Sequence, residues 1–170
     1  MIRAPEVLNL TNLITKDGKN TYSQLHIHIV FAVKYRMALI EDTWAERLRM
    51  YITSIIQNQG HKLIAINNMP DHLHLFIGLN PNQSISEIVR IIKSDSSEWI
   101  NKQKLANGGF QWQEGYGAFS NSRSQIDKVV NYIANQQGHH RKITFLDEYR
   151  KMLNDFNIEF DEQYIFKLPQ

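Results

Sequence analysis

Alternating hydrophobic and polar positions mark four segments of this chain as β-strands. Residues 22–35 and 72–79 alternate over much of their length, which is typical of a strand with one covered face. Residues 61–68 form a third strand, and the turn-forming residues at 68–71 lead from it into the segment 72–79. We therefore predict that these two strands pair as a hairpin. A short fourth strand is predicted near residues 116–120.

Helical periodicity marks the segments between these strands. Residues 42–59 carry an apolar stripe, and Thr43 and Glu46 have the spacing of a capping box. A second helix is predicted to begin after Ser84, which forms a similar capping box with Glu87. The resulting order is strand, helix, strand, strand, helix, strand.

This order is the split β-α-β arrangement of ferredoxin-like folds. It predicts an α+β protein with a four-stranded antiparallel sheet and two helices on one face. The other face is left free for a ligand, a partner or a further helix. Residues 1–20 are polar and mixed, so we interpret them as an N-terminal extension, and residues 21–170 as a single domain.

Composition narrows the chemistry that this domain can carry. A chain of 170 residues can bury a sizeable core, and it has neither a long apolar run nor an apolar segment typical of a signal peptide at its start. The absence of cysteine excludes disulfides, thiolate zinc sites and cysteine nucleophiles. Any metal must therefore bind His, Asp, Glu, Gln or Asn. A formal net charge of +2 permits nucleic-acid binding without arguing for it.

Two histidine pairs are candidate metal ligands. His72 and His74 lie two residues apart, so in a strand both imidazoles point to the same side, where they can bind one metal ion. His26 and His28 form a second pair with the same spacing. The pattern does not rank the two pairs, and each can equally be a pair of polar residues on a half-exposed strand. It does indicate that all four imidazoles can share one face.

A third helix is predicted over residues 124–137, with a stop at Gly138. Tyr132 and Gln136 are one turn apart on the flank of its apolar stripe, so the hydroxyl and the amide can face the same point in space. The alternative is that Tyr132 packs at the edge of the stripe while Gln136 is solvated. The stripe itself consists of Ile126, Val129, Val130 and Ile133.

Four motifs in order resemble those of the HUH-type single-tyrosine transposases (TnpA-like), which are encoded by small insertion sequences that move as single-stranded DNA. The resemblance covers nearly the whole chain from residue 22 onward, whereas residues 1–20 have no counterpart in the usual family pattern. The motifs are residues 31–36 (FAVKYR), 70–75 (PDHLHL), 112–120 (WQEGYGAFS) and 132–136 (YIANQ).

The resemblance assigns roles to individual residues. It implies that Tyr132 is the catalytic nucleophile and that His72, His74 and Gln136 hold a divalent metal ion, Mg²⁺ or Mn²⁺. It gives His26 and His28 a structural role, because they match no catalytic position. It leaves His139 and His140 in contact with the DNA backbone or without a role. Asp71 is interpreted first as a turn residue.

The resemblance also implies a reaction and its partners. The protein is expected to cleave and rejoin single-stranded DNA at hairpin-marked ends through a 5′-phosphotyrosine intermediate, in the cytoplasm of a prokaryote, at the nucleoid. A homodimer is expected, because the sheet has an open edge and in the family the tyrosine helix of one subunit can complete the site of the other. The most basic region flanks the tyrosine and supplies the expected DNA contacts, Arg123, Lys128, Arg141 and Lys142.

Three other functions remain compatible with these motifs. The first is a domesticated single-strand endonuclease that acts on chromosomal hairpin repeats through the same chemistry. The second is a non-catalytic hairpin-binding module on a ferredoxin-like scaffold, for which metal is irrelevant. The third is a metal-dependent hydrolase that uses both histidine pairs, whose activity survives the loss of Tyr132.

Overall fold

A four-stranded antiparallel sheet organises the protein in our computed structural model, which describes residues 15–17 and 21–165. The strands of the sheet follow the spatial order β4-β5-β3-β6. The helices and strands in chain order are β1 (Thr15–Asp17), β2 (Thr21–Ser23), β3 (His26–Ala32), α1 (Asp42–Asn58), β4 (Lys62–Met69), β5 (His72–Gly78), α2 (Ile85–Lys102), β6 (Gly117–Asn121), α3 (Ile126–Ala134), α4 (Gln136–His140) and α5 (Phe145–Asp155).

The sheet confirms the predicted ferredoxin-like arrangement. β4 and β5 pair as the predicted hairpin, and β3 lies between β5 and β6. In this register Val30 is opposite His74, and His28 is opposite Phe76. Because side chains alternate across a strand, these four side chains lie on the same face of the sheet.

Helices α1 and α2 cover the other face, as predicted. The apolar stripe of α1 includes Leu48 and Ile52, and both pack with Ile29 and Leu75 of the sheet in one buried cluster. Each such side chain contributes on the order of 1.5–3 kcal/mol when it is fully buried. This layer therefore supplies most of the core.

The second face is covered in two separate patches. Val130 and Ile133 of α3 pack on Phe76. Farther along the face, Phe145 and Leu153 of α5 form a different cluster with strand residues that include Val30 and Ala32. The histidines of β5 lie between these patches.

Helix α5 was missed by the sequence prediction. It begins after Thr144, whose side chain accepts a hydrogen bond from the backbone amide of Asp147. Its close approach to the sheet depends on Gly117 in β6, because a Cβ atom at that position would lie 2.8 Å from Cε2 of Tyr149. The glycine therefore admits the Tyr149 ring and with it the helix.

Several predicted boundaries were wrong. The segment predicted as one helix over 124–137 is interrupted at Asn135, and α4 continues through Gly138 instead of stopping there. The N-cap of α1 is Glu41, without the capping bond predicted for Thr43. The capping bond of Ser84 to the amide of Glu87 is confirmed.

The first core strand is shorter than predicted, because the chain leaves the sheet after β3. Tyr35 and Arg36 then adopt left-handed backbone conformations, with φ of +58° and +52°. β2 pairs with β1 in a small separate ribbon. The rest of the predicted extension, residues 1–14 and 18–20, lies outside the described residues. Among the helices that are described, none has the length and apolar character needed to cross a bilayer.

Candidate metal centre and tyrosine site

His72 and His74 meet two residues from the C-terminal helices in the gap between the two patches. Both imidazoles are fully buried, and the Nε2 atom of each lies 3.8 Å from Oε2 of Glu148 in α5. Nε2 of His140, at the end of α4, lies 2.8 Å from the same oxygen. The four ligand atoms all lie within 4.8 Å of one another. This set of three nitrogens and a carboxylate can hold a metal ion.

Buried polar atoms without hydrogen-bond partners support that assignment. Within the part of the chain that the structure describes, none of these atoms has a hydrogen-bond partner: Nε2 of His72, His74 and His140, Oε2 of Glu148 and Oε1 of Gln136. Leaving one such buried group unsatisfied costs roughly 1–3 kcal/mol. Imidazole nitrogen and carboxylate or amide oxygen are suitable ligands for divalent metals, so a bound ion would satisfy these atoms together.

The Nδ1 atoms of His72 and His74 each contact a neighbouring side chain. Nδ1 of His72 lies 2.7 Å from Oδ1 of Asp71, and Nδ1 of His74 lies 3.0 Å from Nε2 of His28. An ionised Asp71 can only accept, so Nδ1 of His72 carries the hydrogen and Nε2 presents its lone pair. The same tautomer of His74 requires that its Nδ1 donates to His28. Asp71 and His28 thus orient the ligands.

Burial keeps His72 and His28 neutral. Desolvation lowers the pKa of His72 to about 4, although the hydrogen bond that its Nδ1 donates to Asp71 partly opposes the change. Desolvation, with His74 nearby, lowers the pKa of His28 to about 3. Both imidazoles are therefore uncharged at neutral pH, which is the form in which histidine binds metals.

Tyr132 lies beside the histidines on α3. Its hydroxyl donates a short hydrogen bond to Oε1 of Glu148, and its ring is edge-on to His74 with a centroid separation of 5.9 Å. Burial and the negative charge of Glu148 raise the pKa of the phenol. Gln136 is fully buried, and its Nε2 donates to Oε1 of Glu148 over 3.0 Å.

The structure thus brings together the four residues that the sequence singled out. His72, His74, Tyr132 and Gln136 all surround Glu148, and Tyr132 and Gln136 face a common point as the helical spacing predicted. The alternative in which Gln136 is solvated is wrong, because this side chain is fully buried.

Two residues of the cluster were missed. His140 was predicted to contact DNA or to have no role, but it lies in the ligand group because α4 extends past Gly138. Glu148 was not predicted as a site residue, yet it is just 2% exposed. A signal was present, since Glu148 lies within the apolar stripe that Phe145, Tyr149 and Leu153 form on α5. A carboxylate in such a stripe is a candidate functional group.

The predicted DNA contacts lie on the surface near this site. Arg123, Lys128, Arg141 and Lys142 are exposed, and none of them forms an ion pair with another described residue. The basic region is nevertheless smaller than its sequence indicates. Two of its other cations are paired, Arg150 with Glu162 and Lys151 with Asp155.

Comparison with known proteins defines the class to which this fold and site belong. The family described as "Transposase IS200 like" matches residues 21–136. The chain therefore belongs to the IS200-like transposases. It is 31% identical over 124 residues to the ISDra2 transposase TnpA of Deinococcus radiodurans, an alignment that covers 68% of this chain and 88% of the relative.

Two solved structures share the fold. A putative transposase from Deinococcus radiodurans R1 superposes with a TM-score of 0.56 at 29% identity, covering 72% of this chain and 98% of that one. A REP-associated tyrosine transposase, solved bound to a REP hairpin, has a TM-score of 0.56 at 15% identity, covering 92% of this chain and 99% of that one. The family match ends at Gln136, so His140 and Glu148 lie beyond it.

Proposed function

We propose that this transposase cleaves and rejoins single-stranded DNA at the hairpin-marked ends of an insertion sequence, with Tyr132 as the nucleophile. One observation carries the proposal. The hydroxyl of Tyr132 and the Nε2 atoms of His72 and His74 converge on the carboxylate of Glu148, and both histidines and Glu148 are buried. A binding module that needs no metal has no use for buried ligand atoms without partners.

The reaction needs few protein groups. The phenol oxygen of Tyr132 attacks phosphorus, a bond from phosphorus to tyrosine forms, and the bond from phosphorus to the 3′ oxygen breaks. The phenol loses a proton and the leaving 3′ oxygen gains one, which leaves a 5′-phosphotyrosine and a free 3′-OH. Because the phosphotyrosine is itself a diester, a 3′-OH can attack it in turn and rejoin strands without ATP.

A divalent metal fits the buried ligands and would be held by His72 and His74 together with an oxygen, for which the resemblance implied Gln136. Such an ion would supply charge neutralisation at the phosphate oxygens. Mg²⁺ prefers shells made only of oxygen, so we expect Mn²⁺ to bind this nitrogen-containing site at least as well. Asp71 and His28 contact the Nδ1 atoms of His72 and His74, and so hold the two imidazoles in the orientation that would present Nε2 to an ion.

The DNA partner follows from the exposed cations and from one structural neighbour. Arg141 and Lys142 directly follow His140 at the site, while Arg123 and Lys128 lie before Tyr132 in the chain. Phosphate contacts from such side chains give affinity without sequence preference. The REP-associated neighbour was solved with a hairpin, and we propose a hairpin ligand here as well.

The experiment that tests this function is a covalent trapping assay. The full chain is incubated with Mn²⁺ and single strands from the DNA that flanks its gene, labelled at either end, and resolved on a denaturing gel. We expect a protein adduct with the 3′-labelled strand and a free fragment from the 5′-labelled strand. Tyr132→Phe should give neither, whereas the exposed Tyr164→Phe should behave as wild type.

Absence of an adduct on every flanking strand contradicts the proposal. An adduct that carries the 5′ label contradicts the assigned polarity. Cleavage by Tyr132→Phe at the wild-type rate points to a metal-dependent hydrolase instead.

The expected homodimer is tested separately, by light scattering at micromolar concentration with and without hairpin DNA. The resemblance implies that the tyrosine helix of one subunit can complete the site of the other, so we expect the subunits of the dimer to share their sites. A mixture of His72→Ala and Tyr132→Phe proteins, once heterodimers have formed, should then recover cleavage toward a quarter to a half of normal. No recovery would mean that each subunit uses its own tyrosine.

A further inference from the structure

We propose that Glu148 and His140, which lie beyond the family match, are metal ligands, and that Gln136 is a positioning residue that holds the carboxylate of Glu148. The metal site would then be built from β5, α4 and α5 of a single chain. This inference rests on the metal-assisted part of the proposed function. It goes beyond that function because it reassigns the oxygen ligand and gives α5 a role in the site.

The geometry around Glu148 favours it over Gln136 as the oxygen ligand. Oε2 of Glu148 lies 3.8 Å from Nε2 of both His72 and His74, and it accepts no hydrogen bond from any described residue. A carboxylate oxygen facing two buried imidazole nitrogens is the arrangement of a third ligand. Its negative charge also compensates a buried divalent cation, which a neutral amide does not.

The two carboxylate oxygens have different partners. Oε1 receives the Nε2 hydrogen bond of Gln136 at 3.0 Å and the hydroxyl of Tyr132. With both donors on Oε1, the carboxylate is prevented from rotating and Oε2 stays directed at the histidines. Ligating carboxylates are commonly held by such outer hydrogen bonds. Gln136 therefore acts on the metal through Glu148.

His140 supplies a further nitrogen. Its Nε2 lies 2.8 Å from Oε2 of Glu148 without the geometry of a hydrogen bond, and the atom is buried. Its neighbour His139 is the natural control, because its Nε2 lies 3.7 Å from Oε1 and its side chain is 34% exposed. His139 is also absent from the group of mutually close ligand atoms.

A metal ligated in this way would fasten the C-terminal layer to the sheet. His140 and Glu148 flank the connection between α4 and α5, which contains the exposed Arg141 and Lys142. The ion would join both ends of this connection to His72 and His74 of β5. Mn²⁺ should therefore slow tryptic cleavage after Arg141 and Lys142.

The test is the affinity of the full chain for Mn²⁺ without DNA, measured from the loss of the free-ion electron paramagnetic resonance signal. Glu148→Gln keeps the size of the side chain and removes its charge. We expect Glu148→Gln to weaken Mn²⁺ binding about 100-fold or more, comparably to His74→Ala. His140→Ala should also weaken Mn²⁺ binding, by a smaller factor. Gln136→Ala should cost about 10-fold, the range for residues that orient ligands.

Matched variants make the comparison decisive. Glu159→Gln is the same chemical change at an exposed position and should bind as wild type does, and His139→Ala should bind within about twofold of wild type. Thermal melting confirms that each variant is folded. If Glu148→Gln fails to fold, loss of the Mn²⁺-dependent tryptic protection in His140→Ala, with retention in His139→Ala, tests the same proposal.

Two results would overturn the inference. One is Mn²⁺ affinity of Glu148→Gln close to wild type while Gln136→Ala falls as far as His74→Ala. The other is wild-type protein that binds no Mn²⁺ at millimolar concentration. The proposed function and this inference can be contradicted separately. Tight Mn²⁺ binding that depends on Glu148, without any DNA adduct in the trapping assay, would contradict the proposed function but would still support this metal site.

Discussion

The two faces of the sheet use the same strands for different purposes. On the face under α1 and α2, Leu73, Leu75 and Ile77 of β5 join one continuous apolar cluster. On the opposite face the alternate residues His72 and His74 lie in a gap between two smaller clusters. One strand thus anchors the core with its odd-numbered residues and presents ligands with its even-numbered ones.

The difference shows how a buried polar site is accommodated. The apolar face is closed by two long helices, whereas the polar face is closed by α3, α4 and α5, which meet over the histidines. Each of these helices brings polar groups to the site: α3 brings Tyr132, α4 brings Gln136 and His140, and α5 brings Glu148. Substitutions on the two faces should therefore affect separate properties.

The largest expected effect is on the polar face. Tyr132→Phe removes one oxygen, so adduct formation should fall by about three orders of magnitude or more because the attacking atom is lost. The free energy of unfolding should change by only about 1 kcal/mol, since a single hydrogen bond to Glu148 is removed. Denaturant titration and the trapping assay measure the two properties. A Tyr132→Phe protein that loses several kcal/mol of unfolding free energy along with its activity would contradict the separation of the two faces.

On the apolar face the order of effects should be reversed. Leu75 is fully buried under the α1 and α2 layer, so Leu75→Ala should lower the free energy of unfolding by about 2–5 kcal/mol. At a temperature where the variant remains folded, its Mn²⁺ affinity should be near that of wild type. A large drop in affinity in the folded variant would mean that the two faces are coupled through β5.

The second histidine pair tests the polar face more finely. His28→Ala removes the partner of Nδ1 of His74, so Mn²⁺ affinity should fall about 10- to 100-fold. His26 is the matched control, because it lies on the same strand and face but outside the ligand group. His26→Ala should leave affinity and cleavage largely unchanged. Equal effects of the two substitutions would show a general loss of packing.

The smallest expected effect concerns the rim of the site. Arg141→Glu combined with Lys142→Glu should weaken hairpin binding and flatten its dependence on salt, because each phosphate contact releases a counterion and adds roughly 0.7–0.9 to the slope. Binding titrations at several salt concentrations measure this slope. The control is Lys104→Glu, which reverses the charge of an exposed cation after α2 and should leave the salt dependence of hairpin binding unchanged. An unchanged slope in the double variant would place the DNA elsewhere.

Site residues that lie close together in the sequence could be predicted, whereas contacts between distant segments could not. The pair His72 and His74 was recognisable because a strand has a period of two, and Tyr132 with Gln136 because a helix brings residues four apart together. Both patterns are local. The resemblance to a family then connected them, since neither period relates β5 to α3.

Glu148 and His28 could not be placed in this way. Glu148 lies on α5, which the sequence analysis did not predict, and the packing of Phe145, Tyr149 and Leu153 brings that helix onto the sheet. His28 was given a structural role because the resemblance matched it to no catalytic position. The spacing indicated that all four imidazoles can share one face, but the contact of His28 with His74 depends on the register of β3 against β5.

The sequence by itself determined the order of the four core strands and of α1 to α3, the apolar stripes of these helices, and the residue types available for metal and phosphate chemistry, because these follow from short-range periodicity and composition. The tertiary structure alone decided which polar groups share one buried volume. Burial leaves five polar side-chain atoms of this site without hydrogen-bond partners among the described residues. That convergence requires β5, α4 and α5 to pack together, and packing over such separations is not encoded in any single period of the chain.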